Sequence, residues 1–330
     1  MSDKSAIEWT EASWNPTVGC SIISPGCTNC YAMKTARSLE VRFGSKKYTG
    51  LTKVVNDNAV WTGAIRLDED ALLHPLRWKK PRRIFVNSMS DLFHGDLPDE
   101  AIDKVFAVMA LCPQHTFQVL TKRAERMFQQ IKRMGTSIDY LERHARSFGR
   151  TLRWSVPSDL PSSLAGKTIG LVSWPLPNVW LGISAERQEE FDERERHLRE
   201  TPAAVRFFSL EPLLDPINMA AALYVNEQCE YVGAKRQQID WVIVGGESGS
   251  KARPMDPEWA RSLRDQCQAA GVAYFFKQWG EWHSDALRFT TLDGKRPPPD
   301  MKIGKKRAGR LLDGREWNEY PNEKSRPRAA

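Results

Sequence analysis

From about residue 84 onward the chain alternates short apolar runs, rich in β-branched and aromatic residues, with polar stretches and segments of helical periodicity. Six runs stand out: 83–87, 116–120, 179–183, 205–209, 241–245 and 272–276. Runs that are apolar on both alternating positions fit strands covered on both faces. Strands that alternate with helical segments predict βα units and a parallel sheet. Two weaker candidates come earlier, 64–67 and the segment leading into Cys20. With them the count reaches the eight strands of a closed (β/α) barrel; without them it gives an open one.

Between the strands, Ile102, Val105, Phe106 and Met109 recur at helical spacing after Pro98, with Asp99 and Glu100 placed where the helix dipole favours acids. A second helix is bounded more sharply. Asp256 is the expected N-cap, Pro257 the first helical residue, Trp259, Leu263 and Cys267 one face, and Gly271 the stop. Residues 134–178 and 217–238 are too long for simple crossovers and are expected to be insertions. The expected organisation is one α/β barrel domain over 1–290, partial or complete, with the basic, Pro-rich 291–330 as an irregular extension laid over it.

Composition adds little to the fold but narrows the setting. At 330 residues and 41% apolar content the chain can bury a sizeable core. No stretch approaches the roughly 20 apolar residues of a membrane span, and the N-terminus lacks the apolar core of a signal peptide, so a cytoplasmic location without membrane contact is expected. The net charge of +7 suits an anionic partner such as nucleic acid. Twelve tryptophans would suit base stacking, although core packing accounts for most of them.

In parallel α/β folds the chemistry lies beyond the C-terminal ends of the strands. The residues following the apolar runs are therefore the candidates: Asn87, Ser88 and Asp91; Lys122 and Arg123; Ser184 and Glu186; Glu211; Gly245, Gly246 and Glu247; Lys277. Asp91, Lys122, Glu211 and Lys277 are the catalytic candidates among them, and Lys122, Arg123 and Lys277 the natural partners of an anionic substrate. Loop capping and surface ion pairs are the competing roles. The Gly245–Gly249 turn permits close backbone approach but lacks the spacing of a phosphate loop or a dinucleotide fingerprint.

Three of the six cysteines are crowded together: Cys20, Cys27 and Cys30, separated by six and then two residues. Such clustering in a reducing compartment points to a metal rather than to disulfides. The two-residue gap lets Cys27 and Cys30 face one centre, and Pro25-Gly26 can turn Cys20 back toward it. Three thiolates without a nearby fourth ligand suit a [4Fe-4S] cluster with one open iron. Zinc completed by a distant His or Asp, or thiols without metal, are the alternatives. Cys112 and Cys267 are expected in the core, and Cys229 has no assigned role.

The chain resembles a phage and prophage family labelled only as a domain of unknown function. The resemblance is carried by Trp14-Asn15-Pro16, Gly19-Cys20, Gly26-Cys27, Cys30-Tyr31, the Asn87–His94 segment, Leu120–Arg123, Trp180–Ser184, Ser209–Leu213, Val244–Gly249 and Phe276–Gly280. That family is similar in turn to the radical S-adenosylmethionine enzymes, whose barrel carries a three-cysteine loop near its first strand. The resemblance implies a [4Fe-4S] cluster on Cys20, Cys27 and Cys30. It also implies S-adenosylmethionine as cofactor, held by Asn87, Ser88, Asp91, Ser184, Glu211 and the Gly245-Gly246-Glu247 turn, and an external electron donor. The cysteine spacing departs from the usual three and two, and Asn29 stands where an aromatic residue usually precedes the last cysteine. The expected activity is radical chemistry on a nucleic-acid or nucleotide substrate, in modification or repair. A non-enzymatic zinc or iron-sulfur protein associated with nucleic acid is the other expectation.

Overall fold

The computed structural model describes residues 5–136, 174–223, 239–289 and 297–321. Its centre is one sheet of seven parallel strands lying side by side in chain order: β1 (Ala12–Trp14), β2 (Arg83–Val86), β3 (Thr116–Thr121), β4 (Val179–Ser184), β5 (Val205–Leu210), β6 (Trp241–Gly245) and β7 (Ala273–Gln278). Helices α1 (Tyr31–Val41), α2 (Asp99–Ala110), α3 (Ala124–Thr136), α4 (Gln188–Glu200) and α5 (Pro257–Ala270) lie in the crossovers. The result is a half-barrel, the open alternative of the two predicted.

All six strong runs are strands, with ends shifted by a residue or two. The segment before Cys20 supplies β1, which pairs in parallel with β2 through Ala12 and Ile84. The other weak candidate does not join the barrel. Arg66–Leu67 pairs antiparallel with Thr17–Val18, away from the main sheet. Neither segment continues beyond two residues, so this pair fastens the connection after β1 to the chain leading into β2.

Alternation along the strands sorts the two faces. Ile84, Val86, Phe117, Val119, Leu181 and Phe208 pack outward against the helices. Phe85, Trp180, Phe207, Trp241 and Phe275 fill the concave side, all under a tenth exposed. Each such side chain taken from water contributes on the order of 1.5–3 kcal/mol. Trp9, on the segment before β1, sits among them, with its ring 4.7 Å from Phe85 and 6.1 Å from Trp241. Tyr320, from the far end of the chain, stacks 5.2 Å from Trp241.

The helix predicted after Pro98 runs from Asp99 to Ala110. The helix predicted from Asp256 is α5: the Asp256 carboxylate accepts from the Glu258 amide, and Gly271 adopts the left-handed conformation at φ 67° that ends it. Leu263 and Cys267 are fully buried on its inner face, as is Cys112 beyond α2. The described part of the C-terminal extension lies along the edge of β7. Phe276 N–H donates to Trp317 O at 3.0 Å and Glu319 N–H to Tyr274 O at 3.2 Å. Most of 134–178 and of 217–238, including Cys229, falls outside the described residues. No helix among the described residues is long and apolar enough to cross a membrane.

Candidate active site

On five of the seven strands the inward positions turn polar within one residue of the C-terminal end. Phe85 gives way to Asn87, Leu120 to Lys122, Trp180 and Gly182 to Ser184, Phe207 to Ser209, and Phe275 to Lys277. Above the aromatic layer this leaves a cavity of about 270 Å³, floored by Ile7, Trp9, Phe85 and Leu120. The chain from 20 to 31 forms its opposite wall, so that Cys20, Cys27 and Cys30 border the same space as the strand ends. Of the predicted site residues, Asn87, Ser88, Asp91, Lys122, Ser184, Glu211, Gly246, Glu247 and Lys277 line it. Gly245 stands aside, packed beneath the Glu211 carboxylate.

The cysteine loop is built from two tight turns, with Cys27 N–H donating to Ser24 O and Cys30 N–H to Cys27 O, after which α1 begins. Two carboxylates from distant strands fasten it. Glu186, following β4 and fully buried, accepts from Gly26 N–H at 2.6 Å and from Lys122 Nζ at 2.7 Å. A Cβ at residue 26 would lie 2.9 Å from Glu186 Oε1, so glycine is what admits the carboxylate. Glu247, following β6, is bound by Arg253 at 2.5 and 2.9 Å and by Asn29 Nδ2 at 3.2 Å, while Arg253 also donates to Pro25 O. Burial alone would push the Glu186 carboxyl up. Lys122, Ser24 and the Gly26 amide outweigh it and hold that carboxyl below the usual carboxylate range.

Asp91 organises the other side of the loop. It accepts from Thr121 Oγ1 at 2.7 Å, Phe93 N–H at 3.0 Å, Lys122 N–H at 3.2 Å and Arg123 at 2.8 Å. Arg123 then reaches Ser21 Oγ at 2.7 Å and lies 4.0 Å from Cys20 Sγ. His94, almost wholly buried, meets the same Ser21 hydroxyl through Nε2 at 2.8 Å, and its Nδ1 accepts from Asp96 N–H. Burial first, then the Arg123 charge, pushes the His94 pKa down and keeps the ring neutral.

The four catalytic candidates are thus unequal. Lys122 is paired with Glu186, Asp91 is saturated by four donors, and Lys277 is paired with Glu211 at 2.9 Å. None of these ion pairs lies on an open surface. Glu211 alone keeps a buried, unpartnered oxygen, Oε1. Asn87 complements it. Its backbone sits in the left-handed region at φ 64°, its Oδ1 accepts from Thr17 N–H, and its Nδ2 is buried without a partner at the cavity edge. A polar ligand could satisfy both atoms.

The donor chemistry on the loop suits a thiophilic metal group. The three thiols are free, and the lining contains no further cysteine and no histidine. Burial pushes the Cys20 thiol up to about 12, with the Asp91 carboxylate and neighbouring cysteines acting in the same direction and Arg123 against it, and burial likewise pushes the Cys30 thiol up. Among the described residues, no three His, Cys, Asp or Glu side chains are grouped so as to hold a metal ion. A lone zinc with bonds of about 2.3 Å needs sulfurs only about 3.8 Å apart. A cluster whose irons each take one thiolate spaces its sulfurs more widely than a lone zinc does.

Two partners were not foreseen from sequence, Arg253 and Arg194. Arg194, on α4, has its guanidinium bound to Ser184 O at 2.6 Å and to Glu186 at 3.4 Å. The buried tryptophans settle into packing roles, with Trp9 alone among them bordering the cavity.

Among known proteins, a family described as "Protein of unknown function (DUF5131)" matches residues 4–321. No curated protein and no solved structure matches the chain.

Proposed function

The chain belongs to the family of unknown function that matches nearly its whole length, and we propose that it is an iron-sulfur enzyme of the radical S-adenosylmethionine type acting on nucleic acid or a nucleotide. One observation carries this reading: three free cysteines border a single cavity at the strand ends, with no fourth thiol or imidazole in its lining. Cys20, Cys27 and Cys30 would hold a [4Fe-4S] cluster with one iron left open. Such a cluster would supply one-electron reduction of the S-adenosylmethionine sulfonium, with the electron coming from an external low-potential donor.

The chain's own side chains then have definite tasks. Glu186 and Glu247 fix the loop before any metal arrives, so little ordering remains to be done on binding. Asn87 Nδ2 donates to, and Glu211 Oε1 accepts from, polar groups of the cofactor, with Ser88, Ser184 and Gly246 beside them. Trp9, Phe85 and Leu120 exclude water from the floor of a site where a radical must be protected. Modification or repair of nucleic acid accords with the resemblance to phage and prophage proteins and with the net charge of +7.

Metal analysis after anaerobic reconstitution tests the reading. About four irons and four sulfides per chain are expected, falling to near zero when the three cysteines are replaced by serine. Tightly held zinc in place of iron, unaffected by sulfide, supports instead a non-enzymatic scaffold in which the metal only pins the loop.

A further inference from the structure

The cations inside the cavity are all spoken for. Lys122, Arg123, Lys277 and Arg253 each face one carboxylate, Glu186, Asp91, Glu211 and Glu247 respectively, at 2.5–2.9 Å. The expectation that Lys122, Arg123 and Lys277 grip an anionic substrate therefore meets a site whose charges cancel internally. An anion must find its counter-charge elsewhere.

It is present at the rim. The loop following β6 carries Ser250 and Lys251 past the cysteine loop, where Asn29 Nδ2 donates to Lys251 O at 3.0 Å. Lys34, one turn into α1 beyond Tyr31, donates to Ser250 Oγ at 2.9 Å. Lys302, from the C-terminal extension, donates to Ser250 O at 2.5 Å and lies 5.3 Å over the Trp282 ring. None of the three lysines has a carboxylate within ion-pair distance among the described residues. Lys34 and Lys302, distant in sequence, thus bring their ammonium groups to one uncharged serine, and Lys251 follows that serine in the chain. Charges of one sign held about a single residue repel, and an anion seated among them relieves that repulsion.

We propose that Lys34, Lys251 and Lys302 form an anion subsite at the rim of the cavity that takes a phosphate group of the substrate. The inference rests on the reading of the cavity as a site acting on nucleic acid or nucleotides, and it gives that reading its electrostatic half. The lysines hold the phosphate outside while the base or sugar enters the neutral, aromatic-floored space. The same phosphate chemistry is offered by a polynucleotide backbone and by a free nucleotide.

Fluorescence anisotropy with a labelled single-stranded 20-mer tests this, with unlabelled 20-mer and adenosine monophosphate as competitors. The protein with Lys34→Ala, Lys251→Ala and Lys302→Ala together is expected to bind at least tenfold more weakly. Removing three lysine–phosphate pairs from a single strand lowers the slope of log K against log salt by about 2. The triple Lys→Arg variant keeps both affinity and slope. Half-displacement at a lower concentration of phosphate groups by the nucleotide than by the unlabelled 20-mer identifies a free nucleotide as the source of the phosphate, and the reverse identifies a polynucleotide. Absence of phosphate-dependent binding by either probe overturns the proposal, as does a triple alanine variant with unchanged affinity and slope. Because the lysines touch no cysteine, failure here leaves iron content unchanged. Failure of the iron-sulfur reading shows in metal analysis and leaves the lysine-dependent binding intact.

Discussion

At the scale of single residues, the buried carboxylate Glu186 ties three parts of the site together: β4 to which it belongs, Lys122 after β3, and the cysteine loop through Gly26. Replacing it with alanine leaves Lys122 and Arg194 facing each other without their shared counter-charge. Removing one partner of a buried pair typically costs about 3–5 kcal/mol. Glu186→Ala is therefore expected to lower urea-unfolding stability by that order and to loosen the cysteine loop. A loss below about 1 kcal/mol, the range of exposed pairs, contradicts the assigned role. Histidines set a pH dependence at the same scale. His74, His94 and His115 all have pKa values pushed below the usual 6.5, in each case chiefly by burial. In the window between the folded values and 6.5 the unfolded chain binds more protons, so stability falls as pH falls below about 6.5. Thermal melts from pH 7.5 down to 5.5 should show a falling Tm. A Tm that rises over that interval contradicts the sign.

At the scale of elements, much of what the structure contains could be read from residue patterns. β2 to β7 are covered on both faces, so each appears as a run dominated by apolar residues, with Gln118 and Arg206 buried among them. α5 was legible to the residue because Asp256, Pro257 and Gly271 mark its ends by chemistry that acts locally. Asp256→Ala should cost about 1 kcal/mol through the lost cap. Gly271→Ala should cost about 1–2 kcal/mol through the left-handed backbone it forces on a Cβ. Equal denaturation midpoints for either variant and the parent would contradict the local account of that helix. Other elements left no such signal. β1 is three residues long, and the pairing of Thr17–Val18 with Arg66–Leu67 depends on a contact about fifty residues apart in the chain. The hairpin of Thr52–Val55 and Asn58–Trp61 alternates weakly because three of the four residues in its first strand are exposed. For the site, nearly all the residues that the strand-end rule named line the cavity. It could not show which of them neutralise one another, since Lys122 with Glu186 and Lys277 with Glu211 are pairs made across neighbouring strands and loops only once the sheet curls.

At the scale of the whole molecule, both ends of the chain complete the half-barrel. The N-terminal segment sends Trp9 into the concave face, and the C-terminal segment adds Trp317 and Tyr320 while covering the edge of β7. An uncovered parallel edge with an aromatic flank invites association. A chain ended after residue 310 is expected to melt at lower temperature and to scatter light on storage, while the full chain does not. Unchanged melting of the shortened chain contradicts the structural role of that segment. The same curvature that leaves the barrel open places the cysteine loop across its mouth, where two carboxylates from different strands fix it. Position of the loop, polarity of the strand ends and aromatic floor then belong to one design, a small chamber with an aromatic floor and three cysteines on one wall.

The most direct test of that design is anaerobic incubation of the iron- and sulfide-reconstituted protein with S-adenosylmethionine and dithionite, followed by chromatography for 5'-deoxyadenosine. Release of 5'-deoxyadenosine that requires dithionite and disappears in Cys20→Ser, Cys27→Ser and Cys30→Ser is the predicted result. Protein carrying its full complement of iron and sulfide that releases no 5'-deoxyadenosine, with or without added oligonucleotide, contradicts it.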